Sequence, residues 1–174
     1  LVDPLIEALG RYVFAAGNFT TAGGVPATNI ARWNGVAWSA LGTGFPNGRV
    51  NALAVLPNGD LVAGGNFFAA TGAPADHIAR WNGSQWSALG SAVNGTVSKL
   101  EVLPNGELLA AAFFTLGGQQ GPGLARWNGT QWFPVRLGIS DVAAIAAAPN
   151  GRFTFGGSFE TLGGAPSAYF AEAW

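Results

Sequence analysis

One eighteen-residue pattern recurs along this chain and limits its fold more than any other feature. It reads VNALAVLPNGDLVAGGNF from Val50 to Phe67, VSKLEVLPNGELLAAAFF from Val97 to Phe114 and VAAIAAAPNGRFTFGGSF from Val142 to Phe159. A worn copy, VDPLIEALGRYVFAAGNF, runs from Val2 to Phe19, so starts at 2, 50, 97 and 142 are spaced by 48, 47 and 45 residues. Each copy leads into a loop and then an aromatic segment: IARWNGVAWSALG from Ile30, IARWNGSQWSALG from Ile78 and LARWNGTQWFPVRLG from Leu124. The last copy keeps the loop and the ending YFAEAW. Residues 1–174 therefore read as one domain of repeats 2–49, 50–96, 97–141 and 142–174, the fourth about three quarters present. A repeat of this length is one supersecondary unit that buries its apolar face only against its neighbours.

Within the second copy, four segments carry strand character: VNALAVL, DLVAGGNF, an Ile-Ala-Arg-Trp stretch and QWSAL. Their shortness, alternation and branched or aromatic content fit strands rather than helices. Asn-Gly pairs punctuate the chain at Asn34, Asn47, Asn58, Asn82, Asn94, Asn105, Asn128 and Asn150. Asn tolerates and Gly accepts the positive φ of tight hairpin turns, so bends are expected at these pairs. Trp33 with Trp38, Trp81 with Trp86, and Trp127 with Trp132 flank such turns. Whether the loop has two residues or four, parity puts both rings of a pair on one side of the sheet. Rings recurring once per four-stranded unit suit sheets stacked on sheets, so all six are expected between blades, with Trp33, Trp81 and Trp127 buried. A sugar-stacking platform is the other reading of the same rings. The fold class expected is all-β: a β-propeller of four-stranded antiparallel blades, three full and a three-stranded fourth.

Alternating strand direction brings the first–second and third–fourth turns out on one face. The second–third loops and the links between blades emerge on the other. The former are long, at 20–28, 68–76, 115–123 and 160–168. Long loops on a rigid scaffold are where binding usually lives, which makes Thr20, Thr21, Asn29, Asp76, His77, Gln119, Gln120, Glu160 and Tyr169 the candidate ligand contacts. Asn29, His77 and Tyr169 share one repeat position, just before the third strand, and are expected to be exposed. Asp76 and His77 are adjacent, and adjacent strand residues point to opposite faces, so a solvated histidine is expected rather than a catalytic dyad. Asp60 and Glu107 share a position that is Arg152 in the fourth copy, as suits a solvated strand start and not a catalytic carboxylate. Arg32, Arg80 and Arg126 form a repeated Arg-Trp unit expected to pack along a sheet edge or an indole, with Glu172 in their place in the last copy.

Composition removes several function classes. The absence of cysteine excludes a thiol nucleophile, disulfides, zinc–thiolate sites and iron–sulfur clusters. A net charge of -1, spread without blocks, argues against nucleic acid and against a polybasic membrane patch. Charged residues are 10% of the chain, against roughly 25% in an ordinary soluble domain, leaving little electrostatic opposition to association. No apolar run reaches the length of a membrane span. The glycine-rich stretches lack a phosphate loop's Lys-Ser/Thr ending, and no aspartate-rich calcium loop occurs, so no cofactor or metal is expected. No signal peptide or initiator Met is seen, which suggests a processed product or a fragment.

The order of an apolar strand, a strand ending in Gly-Gly, a loop, an aromatic strand and a later Trp resembles the kelch-type propeller repeat. Gly64-Gly65 and Gly156-Gly157 hold the double-glycine position, and Trp86 and Trp132 the later tryptophan. The fuller pattern GGNF…GAP…IARWNG…WSALG is similar to bacterial kelch-like proteins and to fungal cortical marker proteins for cell polarity. It departs at Ala111-Ala112 and at Ala173, which stands where Trp33 would align. The resemblance implies a binding or surface scaffold. The copper enzymes among kelch relatives, the galactose oxidases, need Tyr, His and Cys ligands, and this chain has one His and no Cys.

The expected function is a non-catalytic binding or structural scaffold, extracellular or at the cell surface, meeting a carbohydrate or protein partner on the long-loop face. A propeller-bodied hydrolase or oxidoreductase is the alternative, although no catalytic constellation is recognisable. Sequons occur at Asn18, Asn82, Asn94 and Asn128, the last three within Asn-Gly turns. The fourth repeat carries three strands, and a bare blade edge invites pairing, so a homo-oligomer is expected, two chains making a ring of about eight blades.

Overall fold

Short apolar segments alternating large and small side chains, cut by Asn-Gly turns, fold into one antiparallel meander per repeat. The computed structural model describes residues 2–8, 12–68, 75–139, 141–158, 161–162, 165–166 and 170–173, and no helix occurs among them. The first sheet takes β1 (Val2–Ala8) and β2 (Tyr12–Gly17), then, past a small ribbon of β3 (Thr21–Ala22) and β4 (Val25–Pro26), β5 (Ile30–Trp33) and β6 (Trp38–Ala40). The second is β7 (Gly48–Val55), β8 (Leu61–Phe67), β9 (Ile78–Trp81) and β10 (Trp86–Ala88). The third is β11 (Lys99–Val102), β12 (Leu108–Leu116), β13 (Gln119–Trp127) and β14 (Trp132–Leu137). The fourth holds β15 (Val142–Ala147), β16 (Phe153–Gly157) and β19 (Phe170–Ala173), with β17 (Thr161–Leu162) and β18 (Ala165–Pro166) forming another small ribbon. The first strands β1, β7, β11 and β15 touch in succession, so the sheets stack as the blades of a β-propeller do.

The core is divided among the three sheet-to-sheet interfaces, and the period of two decides which residue serves which. From β8, Leu61 and Ala63 pack with Phe14 and Ile30 of the first sheet, whereas Val62 packs with Leu100 and Leu108 of the third. From β12, Leu108 and Ala110 look back to the second sheet, while Leu109 and Ala111 join Phe153 and Phe155 of the fourth. The second strand of a blade is thus buried on both faces. Each of its fully buried Leu or Val side chains contributes roughly 1.5–3 kcal/mol by leaving water.

The hairpins use their Asn residues differently from the sequence expectation. Trp33 pairs directly with Trp38, Trp81 with Trp86 and Trp127 with Trp132, so these loops have four residues. Positive φ falls on Gly35, Gly83 and Gly129, not on the preceding Asn. Asn34 instead accepts the Val36 and Ala37 N–H groups on its side-chain oxygen at 2.9 and 2.8 Å, and Asn82 and Asn128 cap their turns in the same way. At Pro57-Asn58-Gly59 the flanking Leu56 N–H donates to Asp60 O at 2.8 Å and Gly59 has φ 88°, a three-residue hairpin closed by a glycine bulge. Two Asn-Gly pairs are not hairpin tips: Gly48 opens β7, and Asn94-Gly95 lies in the link to β11. The expected loop at 115–123 is likewise a correction, since β12 and β13 pair up to a tight Gly117-Gly118 turn.

The Trp pairs of the second and third blades lean on the Leu-Gly end of the preceding blade. Trp86 Nε1 donates to Leu41 O at 3.0 Å, and Trp132 Nε1 donates to Leu89 O at 2.7 Å. The adjoining Gly90 has φ 78°, and a Cβ there would stand 2.9 Å from Trp127 and 3.0 Å from Trp132, so glycine is what allows the rings to seat. The paired rings lie 5.3 to 5.5 Å apart and tilted in all three repeats. Burial is uneven. Trp86, Trp127 and Trp132 are buried, whereas Trp33, Trp38 and Trp81 are half-buried, which corrects the expectation for Trp33 and Trp81. Gly42 stands farther from Trp81, 3.6 Å by the same measure, and the Trp38 ring rests on Gly23 of the small ribbon. Replacing Trp132 by Ala should therefore cost roughly 3–5 kcal/mol, through the lost ring and the unpaired Leu89 carbonyl. Trp38→Ala should cost under about 2 kcal/mol, since its ring is already half in water. Urea denaturation of both variants checks this; equal losses would contradict it.

Candidate functional site

The two faces of the blade stack carry different chemistry. On the turn face, a cleft of about 300 Å³ lies between the second and third blades, lined by Asn58, Arg80, Asn105, Glu107, Trp127 and Asn128. The first–second and third–fourth turns do emerge together there. Its charges are mutually satisfied: Arg80 Nε lies 3.7 Å from Asp60 Oδ2, and Arg126 Nε 3.2 Å from Glu107 Oε2. Asn58 and Asn105 direct their amides onto the same two carboxylates at 2.9 and 2.7 Å. In the first blade Tyr12 takes the acid's place, and the Arg32 guanidinium sits 4.6 Å over its ring. In the fourth copy the signs are exchanged, with Arg152 at the acid's position and Glu172 at the arginine's. Asp60 and Glu107 are therefore partners of the repeated arginines, a role for which they had been read only as solvated strand starts.

On the long-loop face, the shared position before the third strand is buried rather than exposed. Asn29 is 7% and His77 8% exposed, with φ of 63° and 64°. The Asn29 amide donates to Phe45 O at 2.7 Å and to Gly48 O, and its oxygen accepts the Phe19 N–H at 3.0 Å. One side chain thus ties the exit of β2 to the link entering β7. His77 sends its N–H to Phe67 O and receives the Gly65 N–H on its carbonyl, both at 2.9 Å, and its ring meets the Phe68 ring edge-on at 5.1 Å. Both residues hold the left-handed bend that starts the third strand, where a short polar side chain is tolerated. The expectation of an exposed ligand position and of a solvated histidine is corrected by this burial.

The remaining candidates divide simply. Thr20, Thr21, Asp76, Gln119 and Gln120 are exposed, the two glutamines at the tip of the β12–β13 hairpin. Glu160 and Tyr169 lie outside the described residues. Among the described residues no three of His, Cys, Asp and Glu come together in a metal-holding group. A second cleft, of about 310 Å³, lies on this face between the third and fourth blades, with Thr96, Ser98, Ala111, Ala112, Phe113 and Asp141 in its wall. None of these six was singled out from sequence as a ligand contact. The signal that marks them is departure from the repeat: Phe113 takes a position that is Asn18, Asn66 and Ser158 elsewhere.

The burial of Asn29 and His77 sets opposite expectations for substitution. Asn29→Ala should lose roughly 3–4 kcal/mol, three hydrogen bonds together with a residue that tolerates positive φ. His77→Asn should leave stability within about 0.5 kcal/mol or raise it, while His77→Val should lose roughly 1–2 kcal/mol to left-handed backbone strain. Thermal and urea melts check the order; a His77→Val variant as stable as His77→Asn would refute it.

Comparison with the curated proteins gave no match. A family model did match: residues 32–132, more than half of the chain, fit the Rax2 C-terminal beta propeller domain. The match takes in the whole second blade and its Trp contacts on both sides. With the stacked four-stranded sheets it places this chain in the Rax2 C-terminal β-propeller family.

Proposed function

We propose that this chain is a non-catalytic binding and structural scaffold of kelch-like construction, displayed outside the cell or at its surface. The observation that carries this reading is the division of labour among the polar side chains. Those at repeat-equivalent positions are engaged within the scaffold: Asn29 ties the first blade to the link entering the second, while Arg80 with Asp60 and Arg126 with Glu107 pair inside their own blades. Gln119 and Gln120, exposed on the long-loop face, stand where the first and fourth repeats have Val25-Pro26 and Ala165-Pro166 and suit recognition of a glycan or protein partner. Surface display is supported by the Asn-X-Ser/Thr sequons at Asn82, Asn94 and Asn128, all at exposed positions.

Self-association belongs to the same reading. Trp33 and Trp38 repeat the ring pair that elsewhere seats on a Leu-Gly end, yet both remain half-buried. The Leu-Gly end of a second copy of the chain fits that face. Velocity sedimentation at micromolar concentration is expected to show a species heavier than 17.7 kDa. Trp38→Asp should weaken it by on the order of tenfold or more, as loss of an aromatic anchor does. A strictly monomeric parent overturns the association. A glycan array probed with the chain tests the binding half, and a blank array leaves only a protein partner on the long-loop face.

A further inference from the structure

The third repeat departs from its neighbours at three consecutive residues, and all three line one cleft. Where the second repeat has Gly64-Gly65-Asn66 and the fourth Gly156-Gly157-Ser158, the third has Ala111-Ala112-Phe113. Between the second and third blades Gly64 permits an approach that no side chain allows, since a Cβ there would come 2.5 Å from Val97 Cγ1. A Cβ on Gly65 would instead run into Arg49 O of its own blade, at the irregular β7–β8 pairing. Val97 is wholly buried there, its N–H donating to Gly65 O at 3.1 Å and its carbonyl accepting the Asn51 amide at 3.1 Å. At the next interface the methyl group of Ala111 stands where Gly64 has only a hydrogen, Ala112 turns its own methyl back into the core shared with the second blade, and the cleft of about 310 Å³ lies against this stretch.

The wall of that cleft is assembled from unlike parts. Ala111, Ile139 and Val142, which share one core cluster, form an apolar floor. Phe113 stands beside it 39% exposed, an aromatic ring where the other three repeats have a polar residue. Asp141 is exposed at the mouth, on backbone with φ 56°. Ser98 reaches two carbonyls with its hydroxyl, Ala111 O at 3.3 Å and Val142 O at 3.4 Å, which bridges the two blades and leaves its oxygen as an acceptor. Thr96 adds an exposed hydroxyl, and among the described residues no Lys or Arg lines the cleft.

We propose that this cleft binds one neutral saccharide residue, with a C–H face of the sugar against Phe113 and its hydroxyls donating to Asp141 and Ser98. The proposal rests on the binding-scaffold reading above and gives it a place and a ligand class. Charge complementarity disfavours an anion, because among the described residues the one charged side chain in the wall is a carboxylate. A bare ammonium or metal cation satisfies Asp141 but leaves the apolar floor wet. A wholly apolar ligand covers Ser98 and Asp141 without pairing them, which is costly. A sugar carries an apolar face and a rim of donors together. The volume, at the small end of small-molecule sites, suits a single residue rather than a long chain.

The test uses saturation-transfer NMR and calorimetry on the whole chain with glucose, mannose, galactose and N-acetylglucosamine, and with choline and inorganic phosphate as charged comparators. At least one sugar is expected to bind with a millimolar or tighter Kd. Phe113→Ser, the fourth repeat's residue, and Asp141→Asn should each weaken it by roughly tenfold. The double variant Ala111→Gly, Phe113→Asn, which restores the second repeat's residues on the cleft side, should abolish binding while the chain remains folded. Sugar binding undiminished in Phe113→Ser and Asp141→Asn overturns the cleft assignment while the scaffold reading survives. Binding of choline or phosphate without any sugar overturns the ligand class. Absence of binding to all four sugars in the parent chain overturns the proposal and confines the scaffold reading to a protein partner.

Discussion

The seating of a tryptophan pair on the Leu-Gly end of the preceding blade is the contact on which the remaining structure depends. It joins three physical terms at one place: burial of a large ring, an indole hydrogen bond to a backbone carbonyl of the neighbouring blade, and a glycine beside which the ring can approach. Because the pair lies on a third–fourth hairpin and the Leu-Gly end follows the previous one, the contact is always between successive repeats. It therefore propagates. Once the rings are seated, the second strands of the two middle blades are covered on both faces, and their Leu, Val and Ala residues become core without further design.

Polar groups obey the same repeat logic. An arginine on the third strand of a blade needs a partner on the start of the second strand, and the chain supplies one by whatever chemistry fits. Asp60 and Glu107 form ion pairs, and Tyr12 offers its ring face. The fourth copy reverses the signs through Arg152 and Glu172. A pair that can be inverted, or replaced by a ring, is serving the architecture rather than a ligand. Phe113 and Asp141 lie outside that logic, having no counterpart of like chemistry in the other repeats, and the proposed sugar site is built on them for that reason.

The repeat spacing, the Trp phase and the Asn-Gly pairs were enough to read an all-β propeller with a three-stranded last blade. Each is a local signal whose physical meaning does not depend on distant contacts. The binding position was legible only in part. Asn29 and His77 look alike from sequence, polar residues at the edge of a long loop, and exposure was the natural expectation. The fold buries both, since the bend before the third strand needs positive φ and lies beneath the link to the next blade. The Asn of each Trp hairpin was read as a residue tolerating positive φ. It caps the turn through its side chain instead, a choice that depends on loop length and was not determined by the dipeptide.

By itself the sequence determined the number of blades, the strands within each, and which aromatic rings share a face, because periodicity and turn chemistry act over a few residues. Tertiary structure alone decided how closely neighbouring blades approach. That distance is fixed by what a methyl group meets across an interface, as at Gly64 beside Val97. In the sequence, Ala111-Ala112 is a worn glycine pair. Only with the third and fourth blades placed against each other does Ala111 become part of the floor of a cleft.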